Sequence, residues 1–259
     1  MPQLNRALRT TFGTVSELYD KMRLNYSDEV IQKIIDISGI QWNGKILEVG
    51  CGSGKATLPF TERGYDVTAL DISENLIAIA KQKTAQYPNV KYLTTSFEEA
   101  ALPKNHFDLL VSATAFHWVD PEIGYKKAAR VLKPGGCMAL FWNYTSYDET
   151  KLLRGTKNLY NKYNTDFPLD FGSTTEFEKR IEETGSFEEI KKIAWTGNAK
   201  YQKQDYVKLL NTFGWINGLD EIPKKQFFKD LEKLLESENE LLEIPYTTPL
   251  LITNKKSTT

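Results

Sequence analysis

Along residues 27–39, SDEVIQKIIDISG, apolar positions recur at Val30, Ile31, Ile34 and Ile35. That spacing places them on one face of a helix. Ser27 caps it, Asp28 and Glu29 suit its positive N-terminal end, and Gly39 ends it. The next apolar run, KILEVG (45–50), is short and continuous, which predicts a buried strand. The two kinds of run then alternate. KATLPFTERG (55–64) predicts a helix stopped by Gly64, with Pro59 expected to bend it or cost it a bond. YDVTALD (65–71) is a strand, and ENLIAIAKQKTAQ (74–86) a helix capped by Ser73 and closed by Pro88. VKYLTTS (90–96) and FDLLVSA (107–113) are strands. The following helix has Asp120 as its cap and Pro121 at its first position, runs to an LKPGG turn, and leads into a fifth strand, CMALFWN (137–143).

Strands alternating with helices imply a parallel sheet with right-handed crossovers. Their continuous apolar runs suit a sheet covered on both faces. After Asn143 helices dominate, at roughly 149–163, 175–184, 203–213 and 223–237, with two strand candidates, FEEIKKIAW and LLEIPYTTPLLITNK, able to pair and finish the sheet. The predicted fold is α/β: a doubly wound, mostly parallel, seven-stranded sheet with a C-terminal helical cap. Its expected divisions are 1–40 (N-terminal lid and first helix), 41–146 (ligand-binding core) and 147–259 (helical cap interleaved with the last two strands). The cap is expected to close over the strand ends and shape a substrate pocket.

Composition narrows the function. The 33 Lys and Arg balance 34 Asp and Glu, whereas a nucleic-acid binder is usually clearly basic. No apolar run approaches a membrane span, and MPQLNRALRTTFG lacks the hydrophobic stretch of a signal peptide. Two cysteines, Cys51 and Cys137, without a CxxC, and two histidines leave no expected metal site. These features predict a cytoplasmic protein with neither membrane nor nucleic-acid partners.

The stretch ILEVGCGSG carries Gly50, Gly52 and Gly54 just behind the first strand. In an open parallel sheet, ligands bind beyond the carboxyl ends of the strands, and glycines let a ligand approach the main chain. A dinucleotide fingerprint, G-x-G-x-x-G, fails because Lys55 or Thr57 stands at its last position, and a P-loop fails at Ala56. Asp71 ends the second strand roughly 20 residues on, where a carboxylate accepts from both ribose hydroxyls. An acid beside a helix start needs no ligand to explain it, but Ser73 already caps that helix, and together with the loop Asp71 points to a ribose.

These motifs resemble the class I S-adenosylmethionine-dependent methyltransferases over residues about 15 to 145. EVGCGSG is similar to the family's first motif, which implies Glu48, Gly50, Cys51, Gly52 and Gly54 around the methionine part of the cofactor. ALDIS resembles the second, implying Asp71 on the ribose and Ile72 on the adenine. TTSFEE stands at the third, where Ser96 replaces a common acid and Phe97 offers its backbone N–H or its ring. FDLLVSATAFHWVD and RVLKPGGCMALF resemble the fourth and fifth strands, with Ala113 among the expected cofactor contacts. FHWVD and the tail PYTTPLLITNKK are closest to the trans-aconitate methyltransferase-like, small-molecule branch (methyltransferase type 11). Tyr19, Arg23 and Tyr26 match that branch's N-terminal Tyr, Arg and Tyr, which implies a lid near the cofactor carboxylate; a helix packed on the core explains them equally.

The resemblance implies transfer of a methyl group from S-adenosylmethionine, leaving S-adenosylhomocysteine, to a small-molecule acceptor such as a carboxylate. The stretch SATAFHW lacks the N/D-P-P-[YF] of base amino-methylases and the cysteine of cytosine C5 enzymes. His117 is the candidate catalytic base, with a hydrogen bond to loop backbone as its alternative. Tyr26, Phe116, Trp118, Trp142, Tyr144, Phe213 and Trp215 are candidate pocket residues, although aromatics at strand ends are more often core. A nicotinamide oxidoreductase with a degenerate glycine loop, and a non-catalytic module that binds S-adenosylmethionine, stay open at this point.

Overall fold

The computed structural model describes residues 16–163, 165 and 172–257. Its described residues fall into two compact units. A sheet unit comprises those within Asn25–Trp142, Thr174–Trp195 and Thr248–Thr259, and an aromatic unit those within Met1–Leu24, Asn143–Ser173 and Thr196–Thr247. This differs from the expected divisions at two helices and at residues 143–146, expected in the core and found in the aromatic unit. Helix α2 (Asp28–Ser38), expected with the lid, and the helix Thr175–Glu183, expected in the cap, both belong to the sheet unit.

In the sheet unit, β1 (Lys45–Val49) lies between β2 (Asp66–Asp71) and β4 (Phe107–Ala113), both parallel to it. Strand β3 (Val90–Thr94) flanks β2, and β5 (Leu132–Phe141) flanks β4, again in parallel. Residues 250–254 of β8 (Leu241–Asn254) run antiparallel to Cys137–Phe141, and β7 (Lys191–Gln202) pairs with β8 as foreseen. Strand order reverses between β1 and β4, which is the switch point where doubly wound sheets hold ligands.

The helices form where their ends are specified. Ser27 and Ser73 accept from backbone N–H groups at the starts of α2 and α4 (Glu74–Lys83), Asp120 does so for α5 (Pro121–Val131), and Gly39 ends α2 in the left-handed conformation. Helix α3 (Thr57–Glu62) runs unbroken through Pro59. That proline sits in the first turn, where an N–H has no intrahelical acceptor to lose. The LKPGG segment is not a free turn: β5 already begins at Leu132, and its pairing with β4 jumps from Leu132 to Cys137 across an irregularity, with Gly135 at φ +73°. Ile, Val and Leu side chains from α2 and the strands bury completely in this unit, among them Ile31, Ile34, Ile46 and Val111.

The aromatic unit contains α1 (Ser16–Met22), the short strand β6 (Tyr144–Thr145) against Tyr246–Thr247, and α6 (Lys151–Lys162), α8 (Lys203–Leu210), α9 (Gly214–Asn217) and α10 (Glu221–Leu235). Helix α10 packs on α6 and α8, and α1 packs on α8. Tyr160, Phe227 and Leu231 are fully buried there. Helix α7 (Thr175–Glu183) packs instead on α5 in the sheet unit. None of the described helices is long and apolar enough to cross a membrane.

Candidate active site

The chain leaves β1 through Gly50, Gly52 and Gly54, at φ +73°, +52° and +81°. Only glycine adopts such values routinely. The N–H groups of Gly50 and Cys51 both donate to the carbonyl of Leu70, at 2.8 and 3.0 Å, which ties the loop to the end of β2. A Cβ on Gly50 would fall 2.3 Å from that of Ala115, so the segments after β1 and β4 touch only because this residue has no side chain.

Two polar atoms, one on β1 and one in the loop, are sealed here without a protein partner. Glu48, 1% exposed, takes a 2.6 Å hydrogen bond from the Thr57 hydroxyl on Oε2, while its Oε1 has none; the hydroxyl of Ser53, also 1% exposed, has none either. Burial pushes the Glu48 carboxyl up to about 8, because removing the charge from water favours the neutral form. Asp71 closes the other side. Its Oδ2 accepts from Gly52 N and its Oδ1 from Ser73 N, each at 2.9 Å. Burial raises its pKa, and these bonds hold it back. Cys51 is buried with its thiol pushed far up, which suits a packed residue and not a nucleophile.

Beyond β2, Ile72 is half-buried and Phe97 is buried against Phe116. The Ser96 hydroxyl is engaged locally, donating to Glu99 Oε2 at 3.0 Å and accepting from Glu99 N. At the end of β4, Ala113 leads into Thr114, whose φ of +53° is strained for a β-branched residue. The turn is held by Thr114 N on the carbonyl of Phe141 at 2.8 Å and by a 2.6 Å hydroxyl contact with Tyr26. A 3-10 turn follows, Phe116–Trp118. His117 lies in this turn, and its Nδ1 accepts from the Trp142 indole N–H at 3.3 Å.

Several expected pocket residues are core. Trp142 is 0% exposed and packs on Phe177 at 4.6 Å, and Phe116 is 2% exposed against Phe97 and Tyr125. A buried ring whose surface is already covered offers no face to a substrate. Tyr26 packs edge-on against Phe141, and Trp118 is half-buried beside His117. Tyr144, Phe213, Trp215, Tyr19 and Arg23 belong to the aromatic unit. There the Arg23 guanidinium lies 3.9 Å from the centroid of Phe213 and 5.2 Å from that of Tyr19, and donates to the Thr212 hydroxyl and carbonyl. Arg23 thereby ties the N-terminal helix to its own unit. Sequence reasoning missed Ser53, Thr57 and Thr114. Small hydroxyl residues around the glycines were the available signal, but hydroxyls are common in such loops.

A family model described as a methyltransferase domain matches residues 47–140. An uncharacterized methyltransferase of Mycobacterium tuberculosis is 33% identical over 138 residues, 53% of this chain and 54% of that one. The chain thus spans about half the length of such curated relatives. An uncharacterized methyltransferase of Schizosaccharomyces pombe is 28% identical over 230 residues, 88% of each chain. The fold is shared with phosphoethanolamine N-methyltransferase 2 of Haemonchus contortus in complex with S-adenosylmethionine, with a TM-score of 0.57, 17% identity, and coverage of 94% of this chain and 57% of that one. The glycine loop at the switch point and the acid at the end of β2 both lie within residues 47–140, the stretch that matches the methyltransferase-domain model.

Proposed function

We propose that this protein transfers a methyl group from S-adenosylmethionine to a small-molecule acceptor, with a carboxylate as the acceptor class. The observation that carries the reading is the pair of buried, unpartnered oxygens, Glu48 Oε1 on β1 and Ser53 Oγ in the glycine loop behind it. Buried polar atoms normally find partners, and these two suit the ammonium and carboxylate of an amino-acid moiety. Asp71 has lone pairs beyond those its backbone donors use, which suits ribose hydroxyls. Ile72 and Phe97 offer apolar surface to an adenine.

The cofactor supplies a sulfonium-activated methyl group, so the protein's task is to orient a nucleophile and exclude water. A carboxylate acceptor requires no proton removal. Balanced charge argues against nucleic acid, and the Haemonchus contortus neighbour is named for a small-molecule acceptor. The nicotinamide alternative finds no support, since the family match is to a methyltransferase domain.

Calorimetry with S-adenosylmethionine and a parallel fluorescence titration with NADH test the cofactor. Binding of the first alone is expected, and Asp71→Ala should weaken it about tenfold or more, because hydrogen bonds to a charged group are worth roughly 1.5–3 kcal/mol each. Incubation of methyl-labelled cofactor with a small-molecule extract, followed by mass spectrometry, identifies the acceptor. Cofactor binding with no labelled product would make the protein a non-catalytic binder. A saturable tRNA complex with a clear salt slope would overturn the small-molecule reading.

A further inference from the structure

His117 and Trp142 stand 25 residues apart in the chain, yet the structure joins them through the indole N–H and Nδ1 at 3.3 Å. The geometry of that bond restricts His117 more than its position after β4 does. An indole nitrogen is a donor only, so the ring nitrogen it meets must carry a lone pair and no proton. In neutral imidazole the proton then resides on Nε2. In the imidazolium both nitrogens are donors, and one would face the indole N–H head-on.

Trp142 cannot easily turn away. It is 0% exposed, its ring packs on Phe177 of α7 at 4.6 Å, and its backbone N donates to the carbonyl of Pro249 at 3.2 Å. A buried indole N–H without an acceptor also costs stability. The half-buried His117 is the partner the structure provides.

We propose, building on the methyltransferase reading above, that Trp142 is a positioning residue that holds His117 as the neutral Nε2–H tautomer, so that His117 meets the acceptor as a hydrogen-bond donor and not as a general base. A base needs an unprotonated nitrogen, and the unprotonated nitrogen here is already bound by Trp142. An Nε2–H instead suits an acceptor group that arrives with lone pairs and negative charge, such as a carboxylate, which attacks the methyl carbon through one oxygen without losing a proton. As that bond forms, the sulfonium–methyl bond breaks, and its electron pair returns to sulfur as the neutral thioether.

The tautomer can be read without any acceptor. The chain has two histidines, His106 and His117, so 15N-labelled protein near pH 8, where imidazole is ordinarily neutral, gives two ring systems, with His106→Gln assigning them. The expected result is a proton on Nε2 of His117, with Trp142→Phe shifting the population toward a mixture. A proton on Nδ1 in the wild type would overturn the proposal, and so would a tautomer unchanged in folded Trp142→Phe. Kinetics then separate the roles. Glutamine carries an N–H donor near the position of Nε2 but cannot act as a base, so His117→Gln should keep most of kcat while His117→Ala raises KM. Equal kcat losses of about 10²-fold or more in both variants, the scale of a lost general base, would overturn the donor role, as would unchanged kinetics in both. Failure of the methyltransferase reading looks different: labelled cofactor yields no product, whatever the tautomer.

Discussion

The two units bury polar groups in opposite ways. The core of the sheet unit is aliphatic, with Ile46, Val67, Leu109, Val111 and Ile252 around the strands, as a parallel sheet covered on both faces requires. Within it sit two carboxylates, Glu48 and Asp71. The core of the aromatic unit is built from rings: Tyr160 stacks on Phe227 at 5.7 Å and meets Tyr147 edge-on at 5.6 Å. Its phenols answer one another. Tyr147 and Tyr160 share a 3.0 Å hydroxyl contact, and Tyr206 meets the Thr156 hydroxyl at 3.2 Å. Burial pushes Tyr147 up to about 12, so it stays neutral across the working range, whereas Glu48 lies near it. Thr165 Oγ1 and Asn211 Oδ1 also lack partners in the aromatic unit, but neither lies among glycines at a strand end. Buried polar groups that satisfy one another hold a fold together, while the unsatisfied pair at the end of β1 is what a ligand would complete.

The strongest test of this contrast is Gly52→Val. A branched residue at φ +52° is strained and fills the loop, so cofactor binding should vanish from calorimetry while circular dichroism keeps the native spectrum. Wild-type affinity in the folded variant would remove the loop from the site. Next in size, Phe227→Ala in the aromatic unit should cost about 3–5 kcal/mol in denaturant unfolding, with the cofactor Kd of the remaining folded protein unchanged. A parallel change in Kd would mean that the two kinds of burial are not separate in function.

The smallest expected effect is linked to pH. The Glu48 carboxyl titrates near 8 when folded against 4.5 unfolded. Between those values the folded state keeps a proton that the unfolded state has lost, so this residue's contribution to stability falls as pH rises from about 5 to 8 and is level above that. Unfolding of wild type and Glu48→Gln across this range should therefore diverge by up to a few kcal/mol in favour of the variant. Cofactor binding near pH 7 should also release a proton in the wild type and none in the variant, read by calorimetry in buffers of different ionisation enthalpy. Parallel stability profiles would show that the carboxyl is already ionised and solvated.

Much of the fold was legible in the chain because its signals are local. Ser27, Ser73 and Asp120 act on N–H groups two or three residues away, and the 3.6-residue stripe of α2 and the short apolar strands declare their own elements. Gly50, Gly52, Gly54 and Asp71 were legible because their spacing maps directly onto a strand end and its neighbour. Pro59 misled because its effect depends on where the first turn begins, and a shift of a few residues turns a helix breaker into a tolerated start.

What the sequence by itself determined is thus the alternation of strand and helix, the glycine loop and the acid beside it. Only the tertiary structure decided that Glu48 Oε1 and Ser53 are sealed without partners, that α7 joins the sheet unit, that Arg23 is bound to Thr212, and that Trp142 is a buried donor to His117 instead of a pocket wall. The physical reason is range. Caps and periodicity act over about one helical turn, whereas these pairings join residues 25 to 189 positions apart, and strand register and packing bring them together.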